Sequence, residues 1–246
     1  MTAVAAVAAV AAVAAGGAIT LKGSTALVTE FFEYGVNSIL YQRGVYPSDD
    51  FRMVKKYGIP LLITADESLK EYLQTVLAQV QEWLMTSSIT RLVLAIKSLE
   101  TDETLERWQF DVQTDEAAIA ALAAAEEAKA AGKPAPKSAG AAAAGGGASA
   151  GNGKKKEKTE KEVQGEIREI MKQITSSVTF LPILEDPCTF TLLAYTNTDA
   201  ETAIPNTWGD ADPHLIDRGK VEQVRLRSFS TNVHSLEAMV AYRVGE

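Results

Sequence analysis

One cysteine, Cys188, among 246 residues leaves no partner for an intramolecular disulfide and fits a reducing compartment. With only His214 and His234 beside it, a structural zinc site lacks ligands, and neither a metal nor a cofactor is expected. Basic charge is scarce as well: 24 Lys and Arg face 32 Asp and Glu, a net −8. Eight Lys and four Glu between Ala117 and Lys161 make that stretch +4, so the remainder carries −12. Such a body is a poor partner for nucleic acid or anionic lipid. Thr2–Ala15 repeats Val-Ala-Ala but has no basic n-region, no Arg and too few residues to span a bilayer, which takes about 20. It reads as a tail, with neither secretion nor membrane insertion expected.

Catalytic signatures are missing too. No G-x-S-x-G, H-E-x-x-H or kinase set occurs. Gly145–Lys156 (GGGASAGNGKKK) imitates a phosphate loop, but position five before Gly153 is Ala148 and Lys154 is followed by Lys155 rather than Ser or Thr. Lys154–Lys158 reads as a solvated basic run ahead of a helix. The chain is expected to be a binding module, not an enzyme.

Two segments have low complexity: 1–17, and 117–153 with 18 Ala and 7 Gly in 37 positions. The rest suffices for one domain over 18–246, interrupted by a disordered Ala/Gly/Lys insertion at 117–158. Periodicity predicts three helices. The first covers Thr20–Gln42, buries Leu27, Val28, Phe31, Phe32, Ile39 and Leu40, and stops at Gly44. The second opens on a Thr64–Glu67 capping box and carries Leu69, Leu73, Val76, Val80, Trp83 and Leu84. The third opens on a Thr159–Glu162 box and lines up Val163, Ile167, Ile170, Met171, Ile174 and Val178. Ile89–Lys97 and Leu105–Gln113 read as an antiparallel hairpin, Cys188–Tyr195 as a third strand, and Val221–Val244 as one or two more. Helices covering one face of an antiparallel sheet make an α+β fold. Thr196–Lys220, polar and holding Trp208, is long for a structureless connection in a compact domain, as binding or switching elements are.

Six collinear strings carry a resemblance: SILYQRGVYP (Ser38–Pro47), KYGIPLLIT (Lys56–Thr64), LERWQFD (Leu105–Asp111), QITSSVTFLPILE (Gln173–Glu185), VRLRSF (Val224–Phe229, with Thr231 and His234) and MVAY (Met239–Tyr242). Over Ala18–Val244 the chain resembles the HORMA-domain family, and within it the spindle assembly checkpoint branch. The resemblance implies three helices packed on an antiparallel sheet, with a mobile C-terminal safety belt at 197–246 that docks on either sheet edge and in one arrangement wraps an extended peptide. Implied partners are the WD-repeat coactivator of the anaphase-promoting complex, a coiled-coil kinetochore receptor, a checkpoint kinase-family partner, a comet-type adaptor and an AAA-type remodelling ATPase, which the tail 1–17 would serve as a handle. The implied places of action are nucleus, kinetochore and cytoplasm.

Implied peptide-binding residues are Trp83, Val224, Leu226, Phe229, Val240 and Tyr242. Implied dimerisation residues, for pairing of open with closed copies, are Lys172, Gln173, Phe180 and Arg227. From pattern alone Trp83 and Phe180 fit the core, Lys172 fits an exposed helix face, and Val221–Val244 fits an ordinary edge hairpin. Ala238 stands where some animal members have a regulatory Ser. Other clients of the same fold are a translesion polymerase subunit or a meiotic chromosome axis protein; YQRGVYP and ERWQFD favour the checkpoint branch.

Overall fold

The computed structural model describes residues 19–130, 158–197, 204–217 and 219–244. The tail 1–17, residues 131–157 with the phosphate-loop look-alike and most of the Lys run, and 198–203 of the C-terminal connection lie outside them.

Helix α1 (Leu21–Gln42) begins where Thr20 accepts the Gly23 N–H on its side chain. It ends in a Schellman turn: Gly44 N–H donates to the Tyr41 carbonyl, Val45 N–H to that of Leu40, and Gly44 takes φ +64°, the left-handed region a β-carbon disfavours. A short 3-10 turn leads to the hairpin β1 (Phe51–Lys56) and β2 (Ile59–Thr64). Its two-residue turn has positive φ at both Tyr57 and Gly58, matching the twist of the flanking strands. The periodicity reading left this hairpin out, because its outward residues Arg52, Met53 and Lys55 break the apolar alternation.

Helix α2 (Glu67–Met85) starts two residues later than a Thr64 box would have it. Thr64 is held in β2, opposite Phe51 and with its N–H on Asn37 Oδ1, so Asp66 takes the capping role and accepts the Leu69 N–H at 2.7 Å. Strands β3 (Ile89–Ser98) and β4 (Thr104–Thr114) pair antiparallel as expected. The segment read as a disordered insertion then opens with a helix, α3 (Glu116–Ala130), whose Ala-rich sequence supplies propensity but little surface to bury. Four helices therefore occur among the described residues. Three of them, α1, α2 and α4 (Glu160–Ser176), bury an apolar face, while α3 is largely exposed. The Thr159–Glu162 capping box on α4 forms in both directions. Val178 departs from the α4 stripe: it lies past the helix end in a 3-10 turn and is 48% exposed.

Strands β5 (Cys188–Thr196), β6 (Lys220–Arg225), β7 (Phe229–Ser230) and β8 (His234–Val244) complete a six-stranded sheet. Its order is β5-β3-β4-β8-β6, with β7 on β8. One face, carrying Leu92, Leu94, Trp108, Phe110, Leu236 and Val240, lies under the helices with Phe31, Phe32 and Leu84, all nearly inaccessible. Fully burying one such side chain contributes about 1.5–3 kcal/mol. At one end of this core Arg43 forms a two-pronged ion pair with Glu106 and donates to the Pro182 carbonyl, while Trp108 Nε1 donates to Glu106. The pair ties α1, β4 and the α4–β5 connection together.

A candidate peptide-binding edge and its strap

The sheet has two ends. At one, residues 220–244 fold as a hairpin docked on β4, with Val224 opposite Val240 and Phe110 opposite Ala238. At the other, β5 pairs only with β3 among the described residues. Along β5 the Pro187 carbonyl accepts from Leu99 and Asn197 N–H donates to Ser88, so odd-numbered main-chain groups face inward. In an antiparallel pair direction alternates residue by residue, so Cys188, Phe190, Leu192, Ala194 and Thr196 turn their N–H and C=O outward. Such a row is a template for another strand. Beside it stand aromatic rings: Tyr46 and Tyr72 each lie edge-on to Phe190, 6.1 and 5.9 Å away.

The connection between β5 and β6 contains no helix or strand among its described residues, and it packs on the body at the Thr196 end of β5. At the Thr196 end, Asn197 bonds to Ser87 and Ser88, and Trp208 packs edge-on against Trp83 of α2 at 4.8 Å. Trp83 is 4% exposed, with its indole N–H unpartnered among the described residues. At the Cys188 end, His214 lies within electrostatic range of Asp102 in the β3–β4 turn, whose carboxyl is held below the ordinary value first by a hydrogen bond from Lys97.

Docking of the C-terminal hairpin is reinforced by polar contacts from the helices. Gln173 Oε1 accepts the Arg227 N–H at 2.6 Å, and Glu166 accepts the Ser230 N–H at 3.1 Å. Lys158 Nζ bridges Glu166 and Ser230 Oγ, and Asn232 accepts the Lys158 N–H. These bonds satisfy backbone donors of 226–230, where the strand is interrupted. Deeper in, His234 Nδ1 lies 2.6 Å from Ser24 Oγ of α1, which also meets Thr231, and burial pushes the imidazole down to about 4.

The residues expected to bind peptide are divided between the two ends. Trp83 lies by the strap. Val224, Leu226, Phe229, Val240 and Tyr242 belong to the hairpin on β4: Phe229 and Val240 are core, Leu226 N–H donates to Ala238, and Tyr242 donates to Glu222. The fold does not bring those five to the β5 edge, because docking turns their apolar sides under the helices. Sequence reasoning missed Tyr46, Tyr72, Phe190 and Leu192. The signals were the aromatic Phe190 inside a strand and Trp208 within a polar connection. Of the residues expected at a dimer surface, Gln173 and Arg227 are in contact, and Lys172 is exposed and paired with Glu169. Hydrogen bonding to Lys172 depresses the Glu169 carboxyl, with Arg168 and Arg227 contributing. Phe180 is 41% exposed, beyond the end of α4.

The profile of the HORMA domain matches residues 24–234. The mitotic spindle assembly checkpoint protein MAD2A of Dictyostelium discoideum is 45% identical over 226 residues, covering 92% of this chain and 94% of that one. A chain in the crystal structure of the mitotic checkpoint complex is 39% identical with a TM-score of 0.69, and the match covers 91% of this chain and all of that one. Caenorhabditis elegans HTP-2, bound to the HIM-3 closure motif, shares the fold at 11% identity and a TM-score of 0.67, over 91% of this chain and 92% of its own.

Proposed function

The chain belongs to the HORMA-domain family, and on that premise we propose that it is a spindle assembly checkpoint adaptor that captures an extended peptide of the anaphase-promoting-complex coactivator on the β5 edge. The observation that carries this reading is the outward side of β5, on which no strand pairs among the described residues, with the connecting segment packed on the body at its Thr196 end. A peptide added there gains main-chain hydrogen bonds without a deep pocket, and side chains seat against Tyr46, Tyr72 and Phe190. The strap then has to loosen before the peptide leaves, so release is slow.

Docking of 220–244 on β4 supports the switching half of the reading. The same segment placed on β5 would occupy the guest's edge, so moving it to β4 frees that edge. Capture and hairpin position are therefore coupled: a guest binds only molecules whose β5 is free, and draws the population toward them. Lys172, Gln173, Phe180 and Arg227 form the proposed surface for a second copy. Because Gln173 holds the Arg227 backbone only when the hairpin sits on β4, that surface reports the hairpin's position. The proposed places of action are nucleus, kinetochore and cytoplasm, with the coiled-coil receptor, checkpoint kinase-family partner, comet-type adaptor and remodelling ATPase as further partners.

Amide hydrogen exchange with and without a synthetic coactivator peptide tests the capture site. Strong new protection at Phe190, Leu192 and Ala194, with little change at the β6 edge, is expected. Protection confined to β6, or a pull-down that recovers polymerase in place of coactivator, would overturn the reading.

A further inference from the structure

Alternation decides which faces of β8 and β4 meet, but not which residues meet. The β8 residues turned toward the helices are His234, Leu236, Ala238, Val240 and Tyr242, with His234 opposite Thr114 and Leu236 opposite Val112. A one-residue slip would bury Glu237 and is excluded by the pattern. A two-residue slip, about 7 Å along the strand, keeps every side chain on its own face. Among the five, His234 alone places polar atoms in the dry interior, since Tyr242 carries its hydroxyl to Glu222. The imidazole is met from two helices. Nδ1 lies 2.6 Å from Ser24 Oγ of α1, and Nε2 lies 3.4 Å from the Leu84 carbonyl of α2. A carbonyl only accepts, so Nε2 carries the proton and Nδ1 accepts from the Ser24 hydroxyl. Ser24 Oγ in turn accepts from Thr231, 2.5 Å away, whose oxygen takes the His234 N–H at 2.8 Å. All of these residues are buried.

We propose that this chain of hydrogen bonds, from Thr231 through Ser24 and His234 to Leu84, is a register pin: it selects the pairing of β8 with β4 in which His234 meets Thr114 over both two-residue slips. In one slip Leu236 takes the place of His234, and the Ser24 hydroxyl faces a leucine. In the other His234 moves opposite Val112, where both ring nitrogens lose their partners within the apolar core. A buried polar atom left without a partner costs more than its bond had contributed. The pin also acts beyond β8. In the selected register Gln173 accepts the Arg227 N–H and Glu166 the Ser230 N–H, and a two-residue shift would part both pairs. The contacts between α4 and the hairpin are thus set by a contact inside the core. The inference goes beyond peptide capture and holds whether or not β5 takes a guest.

Cysteine pairs on the outward face read the register without touching the core. Gln113 lies opposite Ser235, and a slip that puts Leu236 in the place of His234 brings Glu237 there instead. In a Cys188→Ser background, Gln113→Cys with Ser235→Cys should bridge readily under mild oxidation. Gln113→Cys with Glu237→Cys should bridge only in slipped molecules, because a disulfide needs α-carbons within about 7 Å. Replacing both partners, Ser24→Ala with His234→Leu, should leave the first rate unchanged. It should raise the second about five- to thirtyfold, the range for one to two net hydrogen bonds. Should the double variant not fold, Ser24→Ala alone is read in the same way, with a rise of about two- to tenfold expected. An unchanged rate for the pair at 113 and 237 would overturn the pin, because packing of Leu236, Ala238 and Val240 would then suffice to set the register. An equal rise for Gln113→Cys with Gln223→Cys, which no such slip brings together, would overturn it too, because the substitutions would then be loosening the whole hairpin.

Discussion

Phe229 is the point at which the C-terminal hairpin enters the core. Its ring is 2% exposed and lies 5.2 Å from Phe31, which in turn touches Phe32 and Phe110. Phe229→Ala removes that plug and leaves a cavity at the joint between a docked segment and the fixed body, at a cost of about 3–5 kcal/mol. The loss should fall on the hairpin: amide protection should drop through β7 and β8 while β3 keeps its own. Uniform loss across the sheet would mean that the hairpin and body unfold as one unit. Arg43 makes a contrasting case. Arg43→Ala would leave Glu106 as a buried carboxylate with only Trp108 for company, which costs about 3–5 kcal/mol. Urea unfolding should report that drop for the whole domain, since the pair ties the fixed elements α1 and β4 rather than the hairpin.

The elements differ in how far the chain's text announced them. Helix α1 and the start of α4 were readable to within a residue, because stripe and cap agree at Thr20 and the Thr159 box and the stop at Gly44, whereas the α4 stripe was carried past its end to Val178. β3 was readable as a β-branched, nearly continuous apolar run and β4 from the period of two. The start of α2 was not, because a tertiary contact, Asn37 on the Thr64 main chain, decided which of two capping residues was used. α3 was hidden by composition, since Ala gives a helix no face to recognise. At the site, strand β5 was legible but its role as a free edge was not: strand order follows from where 220–244 docks, and the residues of that hairpin alternate too weakly to say. His234 shows what holds the hairpin once it has docked. Its imidazole is neutral and buried against Ser24, with its value lowered from 6.5 to about 4 by burial. A folded-state value below the unfolded one means the unfolded chain takes up a proton that the folded chain refuses. The stabilising contribution is therefore complete above about pH 6.5 and fades as pH falls toward 4, by roughly 3 kcal/mol in all. His234→Gln should be less stable at neutral pH but lose less between pH 6.5 and 4 than the wild type in parallel urea titrations. Equal slopes would show that His234 does not govern this interval.

For the molecule as a whole, the sheet is a shared resource with two ends and a C-terminal segment that occupies one of them. The body buries its core through α1, α2, α4, β3 and β4, which gives a platform that does not depend on the connection 197–219. That connection can then serve as a strap, and its described anchors are few: Asn197 at its start and Trp208 against Trp83. Among these Trp208 contributes most apolar surface, and an edge-on aromatic pair adds about 0.5–1.5 kcal/mol beyond the area it covers. Trp208→Ala should therefore loosen the strap without unsettling the body, leaving thermal stability of the free protein nearly unchanged. If a captured peptide lies between β5 and this strap, its escape is gated by strap opening, so the variant should release a bound coactivator peptide roughly tenfold faster, with the association rate changed much less. Surface-immobilised peptide and a dissociation phase long enough to separate the two proteins would measure it. Release at the wild-type rate, in a variant of unaltered stability, would mean that the guest is held by the β5 edge alone and that the strap is not what slows its departure.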